Sequence, residues 1–138
     1  KNCGPIKNGL ISDDGFITID KFTLLIGDQG TGKSTIAKLI SICSWLEKSL
    51  FRGDYEISSF NSSDFKELYT NQLLSDYFDE KTELEYIGDA YHFFYKDYHL
   101  LIHLRWHYPS YLLQVFQQDS FSYLSITVNL IFIGSDFL

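Results

Sequence analysis

The sequence predicts an α/β fold built around a strand, a glycine-rich loop and a helix. The short apolar run Phe22–Ile26 has the composition of a buried parallel strand. Glycines at positions 27, 30 and 32 predict the loop that follows it. A stripe of apolar residues at helical spacing predicts a helix from residue 35 to residue 50: Ile36, Leu39, Ile40, Cys43, Leu46 and Leu50.

The loop has the pattern G-x-x-x-x-G-K-[ST] of a phosphate-binding P-loop, which predicts nucleotide binding. Its glycines allow backbone N–H groups to point at phosphate oxygens, and the helix N-terminus adds further free N–H groups. We expect Lys33 to be the catalytic residue that reaches the β- and γ-phosphates, Ser34 to ligate Mg²⁺ and Thr35 to approach the α-phosphate. The complete set of candidate binding residues is Gly27, Asp28, Gln29, Gly30, Thr31, Gly32, Lys33, Ser34 and Thr35.

Two β-prone runs precede this strand, and a turn-forming segment separates them. The runs are Ile6–Ile11 and Phe16–Ile19, and the turn is Ser12–Gly15. This arrangement predicts an antiparallel hairpin that joins the P-loop strand in one mixed sheet. The helix after the P-loop is predicted to end near Arg52, because a glycine follows this basic residue.

The middle of the chain predicts one helix and a second hairpin. The helix extends from about Asp64 to Tyr77, with N-cap residues at 62–64 and an acidic end that we interpret as solvated rather than metal-binding. Runs 83–87 and 90–95 flank Gly88-Asp89, a loop of the kind that closes hairpins. The second run of this hairpin contains aromatic residues at 91, 93 and 95, with no Lys or Arg between them. We therefore expect these rings to pack within the sheet rather than to stack on the bases of a nucleic acid.

The last forty residues differ in composition from the rest of the chain. Their only Asp, Glu, Lys or Arg residues are Arg105, Asp119 and Asp136. A helix is predicted over Tyr98–His107, which would place three histidines, at 99, 103 and 107, on one face. Histidines at this spacing can bind zinc, but no carboxylate or cysteine accompanies them, so a metal site is not favoured. A buried strand is predicted over Ser125–Ile133.

Two segments together resemble the start of an ABC-type ATPase domain: residues 2–7, with the sequence Asn-Cys-Gly-Pro-Ile-Lys, and residues 22–35. The nearer resemblance is to the branch of chromosome-maintenance (SMC-like) and overcoming-lysogenization-defect-like ATPases, the bacterial "AAA family ATPases". It implies a P-loop NTPase fold, ATP and Mg²⁺ as cofactors, ATP-driven head-to-head homodimerisation, and a DNA or effector partner, with roles in DNA-related or phage-defence processes. Cys3 stands where this family has an aromatic residue, and Asp28-Gln29 replaces its proline-asparagine pair.

Length and composition predict that residues 1–138 form a single, incomplete nucleotide-binding domain. Within this domain, the hairpin, the P-loop strand and its helix are predicted in residues 1–53. A helix and a second hairpin are predicted in residues 54–98, and an apolar tail in residues 99–138. The net charge of −7 gives no broad attraction for nucleic acid or acidic lipid. Two isolated cysteines and a polar start without a signal peptide indicate a cytoplasmic protein, and no segment is expected to span a membrane.

Hydrolysis requires residues that the sequence does not clearly supply. The nearest candidate for a Walker B strand is 130–133, but Gly134-Ser135 separates it from Asp136, and no signature segment occurs. We therefore expect ATP binding with hydrolysis dependent on further parts. Two alternatives stay open: a small-molecule or nucleotide kinase, disfavoured by the N-terminal hairpin and the scarcity of arginine, and a degenerate P-loop module that does not hydrolyse nucleotide. A GTPase is not favoured, because no Asn-Lys-x-Asp motif occurs.

Overall fold

The structure, a computed structural model, describes residues 1–7 and 16–105 with their side chains and residues 128–132 as backbone. The described chain is a mixed α/β arrangement with two helices, a three-stranded antiparallel sheet and a parallel pair of strands. In order, its elements are β1 (Phe22–Ile26), α1 (Lys33–Arg52), α2 (Ser62–Asn71), β2 (Leu84–Ile87), β3 (Tyr91–Lys96), β4 (His99–Leu104) and β5 (Val128–Phe132).

Strand β1 pairs in parallel with β5, from Phe22 opposite Val128 to Ile26 opposite Phe132. A strand was predicted in each of these regions, and both are present. The prediction that β1 is buried is wrong for the described residues, since one face of the strand is exposed at Phe22, Leu24 and Ile26. Among the described elements, β1 has a single strand partner, and this face is not covered by them.

The parallel and antiparallel strands lie in separate sheets within the described residues. Strands β2, β3 and β4 are joined by short turns, which allow antiparallel neighbours to pair directly. Strands β1 and β5 are far apart in sequence, as a parallel pair requires.

The predicted N-terminal hairpin is not found in the part of the chain that is described. Residues 16–20 form no strand, and residues 8–15 lie outside the described ranges. Ile6 instead pairs with Cys3 in an isolated bridge across the tight turn at Gly4-Pro5. Because Ile6 closes this turn, it does not start the predicted strand.

Helix α1 begins at Lys33 and ends at Arg52, directly before Gly53, so its predicted end is confirmed. Gly53 adopts a left-handed conformation, and its N–H and that of Asp54 donate to the last-turn carbonyls of Leu50 and Ser49. Five of the six predicted stripe positions are buried, all except Ile40: Ile36, Leu39, Cys43, Leu46 and Leu50. Three buried positions were not predicted as part of the stripe: Thr35, Ile42 and Ser49.

Helix α2 is shorter than predicted and starts from a different cap. The Asn61 side chain accepts hydrogen bonds from the N–H groups of Ser63 (2.7 Å) and Asp64 (3.4 Å). The Asp64 carboxylate accepts one from the Asn61 N–H (2.8 Å), so Asn61 and Asp64 form a capping box. The helix ends at Asn71, because Leu73 adopts a left-handed backbone (φ 57°). This turn directs Leu74 into the core, and a 3-10 turn at Ser75–Tyr77 follows.

The predicted hairpin of β2 and β3 is confirmed, with Leu84 opposite Tyr95 and Ile87 opposite His92. The predicted helix Tyr98–His107 is wrong. Asp97 and Tyr98 have positive φ values and reverse the chain, and β4 then pairs antiparallel with β3. The residues of β4 alternate between half-buried Leu100 and Ile102 and exposed neighbours, so a period of two prevails over the helical period.

Aromatic rings from α2 and the antiparallel sheet form the centre of the core. Tyr69 and Phe78 stack with centroids 3.9 Å apart and planes 2° from parallel. Phe65 is fully buried and contacts both of these rings and Tyr95. Tyr91, Phe93 and Tyr95 are all buried, so the packing interpretation of this aromatic stretch is confirmed over base stacking.

One carboxylate connects α1 to the hairpin. Glu47 accepts hydrogen bonds from the Tyr86 hydroxyl (2.7 Å) and from the backbone N–H groups of Ala90 (2.8 Å) and Tyr91 (3.2 Å). A Cβ added to Gly88 would lie 2.2 Å from Glu47 Oε1, so the carboxylate packs closely against the turn. Burial, and secondly the hydrogen bond to Glu47, raise the pKa of Tyr86.

Candidate functional site

The glycine loop joins the end of β1 to the start of α1. Gly30 (φ 83°) and Gly32 (φ 93°) adopt left-handed conformations, in which a larger residue would be strained. Gly32 is also crowded, because a Cβ there would lie 3.0 Å from Ile6 Cγ1 and 3.3 Å from Pro5 Cγ. The N-terminal turn therefore rests against the loop at the point where the helix begins.

The Lys33 side chain folds back over the loop. Its ammonium donates to the carbonyl oxygen of Gly27 (2.6 Å), to that of Asp28 and to Thr31 Oγ1 (3.3 Å). Thr31 Oγ1 in turn donates to the Asp28 carbonyl (2.8 Å). These bonds fix a positive charge within the curve of the loop backbone, where it can be shared with an anionic ligand.

The first turn of α1 contributes N–H groups without acidic competition. The first intrahelical bond is donated by the Ile36 N–H to the Gly32 carbonyl (2.9 Å), so the amides of residues 33–35 precede the helical ladder. The first turn contains no Asp or Glu, and no side chain caps this end of the helix. The positive end of the helix dipole is thus not neutralised locally. Ser34 is exposed on this turn, whereas Thr35 is buried.

A cavity of about 450 Å³ lies over this part of the loop. It brings together five of the nine predicted binding residues, Gly30, Gly32, Lys33, Ser34 and Thr35. Gly27, Asp28 and Thr31 do not line it but bind the Lys33 ammonium, and Gln29 is exposed.

Three residues that line this cavity were not predicted as site residues: Gly4, Pro5 and Tyr77. The Gly4-Pro5 dipeptide is a turn signal directly after Asn2-Cys3, within one of the two segments that carry the family resemblance. Nothing in the local pattern distinguishes Tyr77 from the other aromatic residues around it. Its position depends on the end of α2 at Asn71, which the sequence did not reveal.

The described residues do not offer a metal centre built from protein ligands alone. Within residues 1–7 and 16–105, no group of three or more His, Cys, Asp or Glu side chains is arranged to hold a metal ion. His99 and His103 lie on strand β4 rather than on a helix, and His107 is outside the described residues. Asp79 serves as a turn acceptor for the Lys81 N–H (2.8 Å) and the Thr82 hydroxyl (3.2 Å).

Both cysteines are buried thiols. Cys43 is 1% exposed in the apolar stripe of α1, which confirms the prediction that it is a small core residue. Burial, and secondly the charge of Glu47, raise the pKa of Cys43 to about 12. Burial raises the pKa of Cys3 to about 11. Both pKa values argue against a reactive thiolate at neutral pH.

Comparison with protein-family models, with curated proteins and with solved structures finds no match to this chain. The candidate site therefore depends on its own geometry and chemistry. Neither helix in the part of the chain that the structure describes is long and apolar enough to cross a lipid bilayer.

Proposed function

We propose that the chain binds a nucleoside triphosphate, ATP with Mg²⁺, as the N-terminal half of a P-loop ATPase of the ABC/SMC-like branch. The observation that carries this proposal is the position of Lys33. Its ammonium is held over a glycine loop by two loop carbonyls, at the start of a 20-residue helix with no acidic residue in its first turn. A polyphosphate supplies the negative charge that this arrangement complements.

In the proposed binding mode, different groups of the loop bind the phosphates and the Mg²⁺ ion. Backbone amides around Gly30 and Gly32 donate to phosphate oxygens, and Lys33 exchanges carbonyl partners for oxygens of the β- and γ-phosphates. The exposed Ser34 hydroxyl fits one coordination position of a Mg²⁺ ion that is otherwise held by phosphate oxygens and water. Mg²⁺ would neutralise charge on the phosphates, as it does in other phosphoryl-transfer sites.

Hydrolysis is proposed to require parts beyond the described site. Strand β5 lies beside β1 and contains residues 130–132 of the weak Walker B candidate 130–133. Asp136, the carboxylate nearest to this candidate in sequence, is outside the described residues. We propose that a catalytic carboxylate and a signature segment complete the site on head-to-head dimerisation, with DNA or an effector protein as the partner. The isolated chain would then bind ATP but turn it over slowly.

Thermal unfolding with Mg-ATP tests the proposal. At free ATP of 100 times Kd, ligand linkage stabilises the folded chain by about 2.7 kcal/mol, a rise in Tm on the order of 10 °C. Lys33→Ala should abolish this rise. Lys48→Ala is the matched control, because Lys48 is an exposed lysine on the same helix, about 22 Å farther along its axis.

Three outcomes separate the candidate functions. No rise in Tm for a folded wild-type chain, or an equal rise in Lys33→Ala, would contradict nucleotide binding at this loop. Phosphoryl transfer from ATP to a small acceptor would identify a kinase instead. A rise in Tm without turnover, even when the chain is tested with all segments of its full-length protein, would identify a non-hydrolysing module.

A further inference from the structure

Tyr77 is an aromatic residue turned outward beside the proposed phosphate site. It ends the 3-10 turn after α2, and its neighbours Leu74 (1% exposed) and Phe78 (8%) are buried in the core. Tyr77 itself is 39% exposed and lines the same cavity as Lys33 and Ser34. The core therefore anchors the chain on both sides of a ring that it leaves accessible.

The Tyr77 ring is held in place by the N-terminal turn. The Gly4 N–H donates to the Tyr77 carbonyl (3.1 Å), and the Tyr77 N–H donates to the Leu74 carbonyl (2.9 Å). A Cβ on Gly4 would lie 2.5 Å from Cδ2 and 2.6 Å from Cγ of the ring. Two adjacent ring carbons at nearly equal distances place the Gly4 backbone over part of the ring surface.

The same turn separates the ring from the glycine loop. Pro5 follows Gly4 and approaches Gly32, the residue that starts α1. The turn therefore lies between the ring and the loop, and all three line the same cavity.

We infer that Tyr77 is the surface on which the nucleobase of the bound triphosphate stacks. This inference rests on the function proposed above. Four described residues that line the cavity have polar side chains, and three of them, Lys33, Ser34 and Thr35, belong to the phosphate site. The fourth is Tyr77, so the described lining offers a base an aromatic ring but few groups that read its hydrogen-bonding edge. Stacking of this kind accepts every base.

Binding of Mg-ATP and of magnesium tripolyphosphate, measured by calorimetry, tests the stacking. Tyr77→Ala should weaken ATP binding by about 5- to 150-fold, the range expected for loss of one base–aromatic stack. Its Kd for tripolyphosphate, which has no base, should stay within about twofold of wild type. Tyr77→Phe keeps the ring and should bind both ligands like wild type.

The outcomes distinguish this inference from the proposed function. Equal loss of ATP and tripolyphosphate binding in Tyr77→Ala would show that the ring only supports the loop, and no loss of either would show that it is idle. Both results overturn the stacking but do not contradict phosphate binding by the wild-type loop. Lys33→Ala should weaken the binding of both ligands. A wild-type chain that is folded but binds neither ligand would overturn the proposed function and the stacking together.

Base preference gives an independent measurement. Because the π-face is common to all bases, the Kd values for ATP, GTP, CTP and UTP should lie within about tenfold of one another. In Tyr77→Ala, the four Kd values should lie closer together and closer to the Kd for tripolyphosphate. A preference for ATP greater than about 100-fold would require edge recognition and would contradict the inference.

Discussion

The glycine loop and the aromatic core are held by different kinds of interaction. In the loop, the Lys33 ammonium binds the backbone carbonyls of Gly27 and Asp28, and residues 27–30 are exposed. In the core, rings pack on rings, and Phe65, Tyr69 and Tyr95 are buried to 3% exposure or less. The first arrangement can exchange its partners for a ligand, whereas the second cannot change without loss of packing. Binding and stability should therefore respond to different substitutions.

The largest expected effect comes from breaking the core. Phe65→Ala removes a fully buried ring that contacts Tyr69, Phe78 and Tyr95. We expect a loss of about 3–5 kcal/mol in the free energy of unfolding, which is a large part of the stability of a typical domain. Urea unfolding followed by circular dichroism measures this loss. Lys33→Ala, the corresponding change in the loop, should shift the urea midpoint much less, and equal losses would contradict the division between the two regions.

A substitution at the connection between α1 and the hairpin should have an intermediate effect. Glu47→Ala leaves the Tyr86 hydroxyl and two backbone N–H groups without their acceptor, so we expect a loss of about 2 kcal/mol. Glu47→Gln keeps an acceptor oxygen and should lose less. Urea midpoints of both variants provide the measurement.

Gly88→Ala sharpens this test, because its Cβ would collide with Glu47 Oε1 at 2.2 Å. Gly88→Ala should therefore cost less stability in the Glu47→Ala background than in wild type. A double-mutant cycle measures this coupling. Additive effects would show that the carboxylate does not hold the turn.

Alkaline pH tests the burial of α1. The pKa of Cys43 is raised from 9.0 to about 12 in the folded state, so the unfolded chain releases this proton first as the pH rises. The contribution of Cys43 to the free energy of unfolding is constant below about pH 9. It falls by about 1.4 kcal/mol per pH unit from there to about pH 12.

Other groups whose pKa values are raised in the folded state add to this alkaline loss of stability: Cys3, Tyr86, Tyr91 and Tyr95. The informative quantity is therefore the difference between wild type and Cys43→Ala. The variant should show the shallower slope of unfolding free energy against pH over this range, measured by urea titration. Parallel slopes would contradict burial of the Cys43 thiol.

The smallest expected effect concerns the end of α2. Leu73 is 82% exposed and has φ 57°, a conformation that is unfavourable for a leucine. Leu73→Asn should raise the free energy of unfolding by up to about 1 kcal/mol, since asparagine tolerates this region. Leu73→Val, which is β-branched, should lower it. A urea midpoint that falls for Asn would show that the helix does not end in this conformation.

Local patterns predicted the elements whose signals lie within a few residues. The P-loop motif, the apolar stripe of α1 with Gly53 after it, and the hairpin at Gly88-Asp89 each have such a signal, and α1 and the hairpin are present as predicted. The function of the loop stays a prediction. The prediction of a helix at β4 was wrong because the residues Tyr98–Leu104 are compatible with both a helical and an alternating period. Pairing with the neighbouring strand β3 favours the alternating period.

The missed parts of the candidate site depend on contacts between distant segments. Tyr77 faces the cavity only because α2 ends early and the turn at Gly4-Pro5 folds against it. These residues are more than seventy positions apart. Periodicity and turn propensity are local signals and do not report such contacts.

Helix α1 is continuous from the loop to Gly53, and twenty residues give it a length of about 30 Å. Its two ends therefore move as the ends of a rod. A tilt of about 3° at the loop would displace the far end, near the rings of Trp45 and Tyr55, by about 1.5 Å over this length. A slight adjustment around a ligand would thus be magnified toward the C-terminal end of α1, where the ring of Tyr55 is exposed.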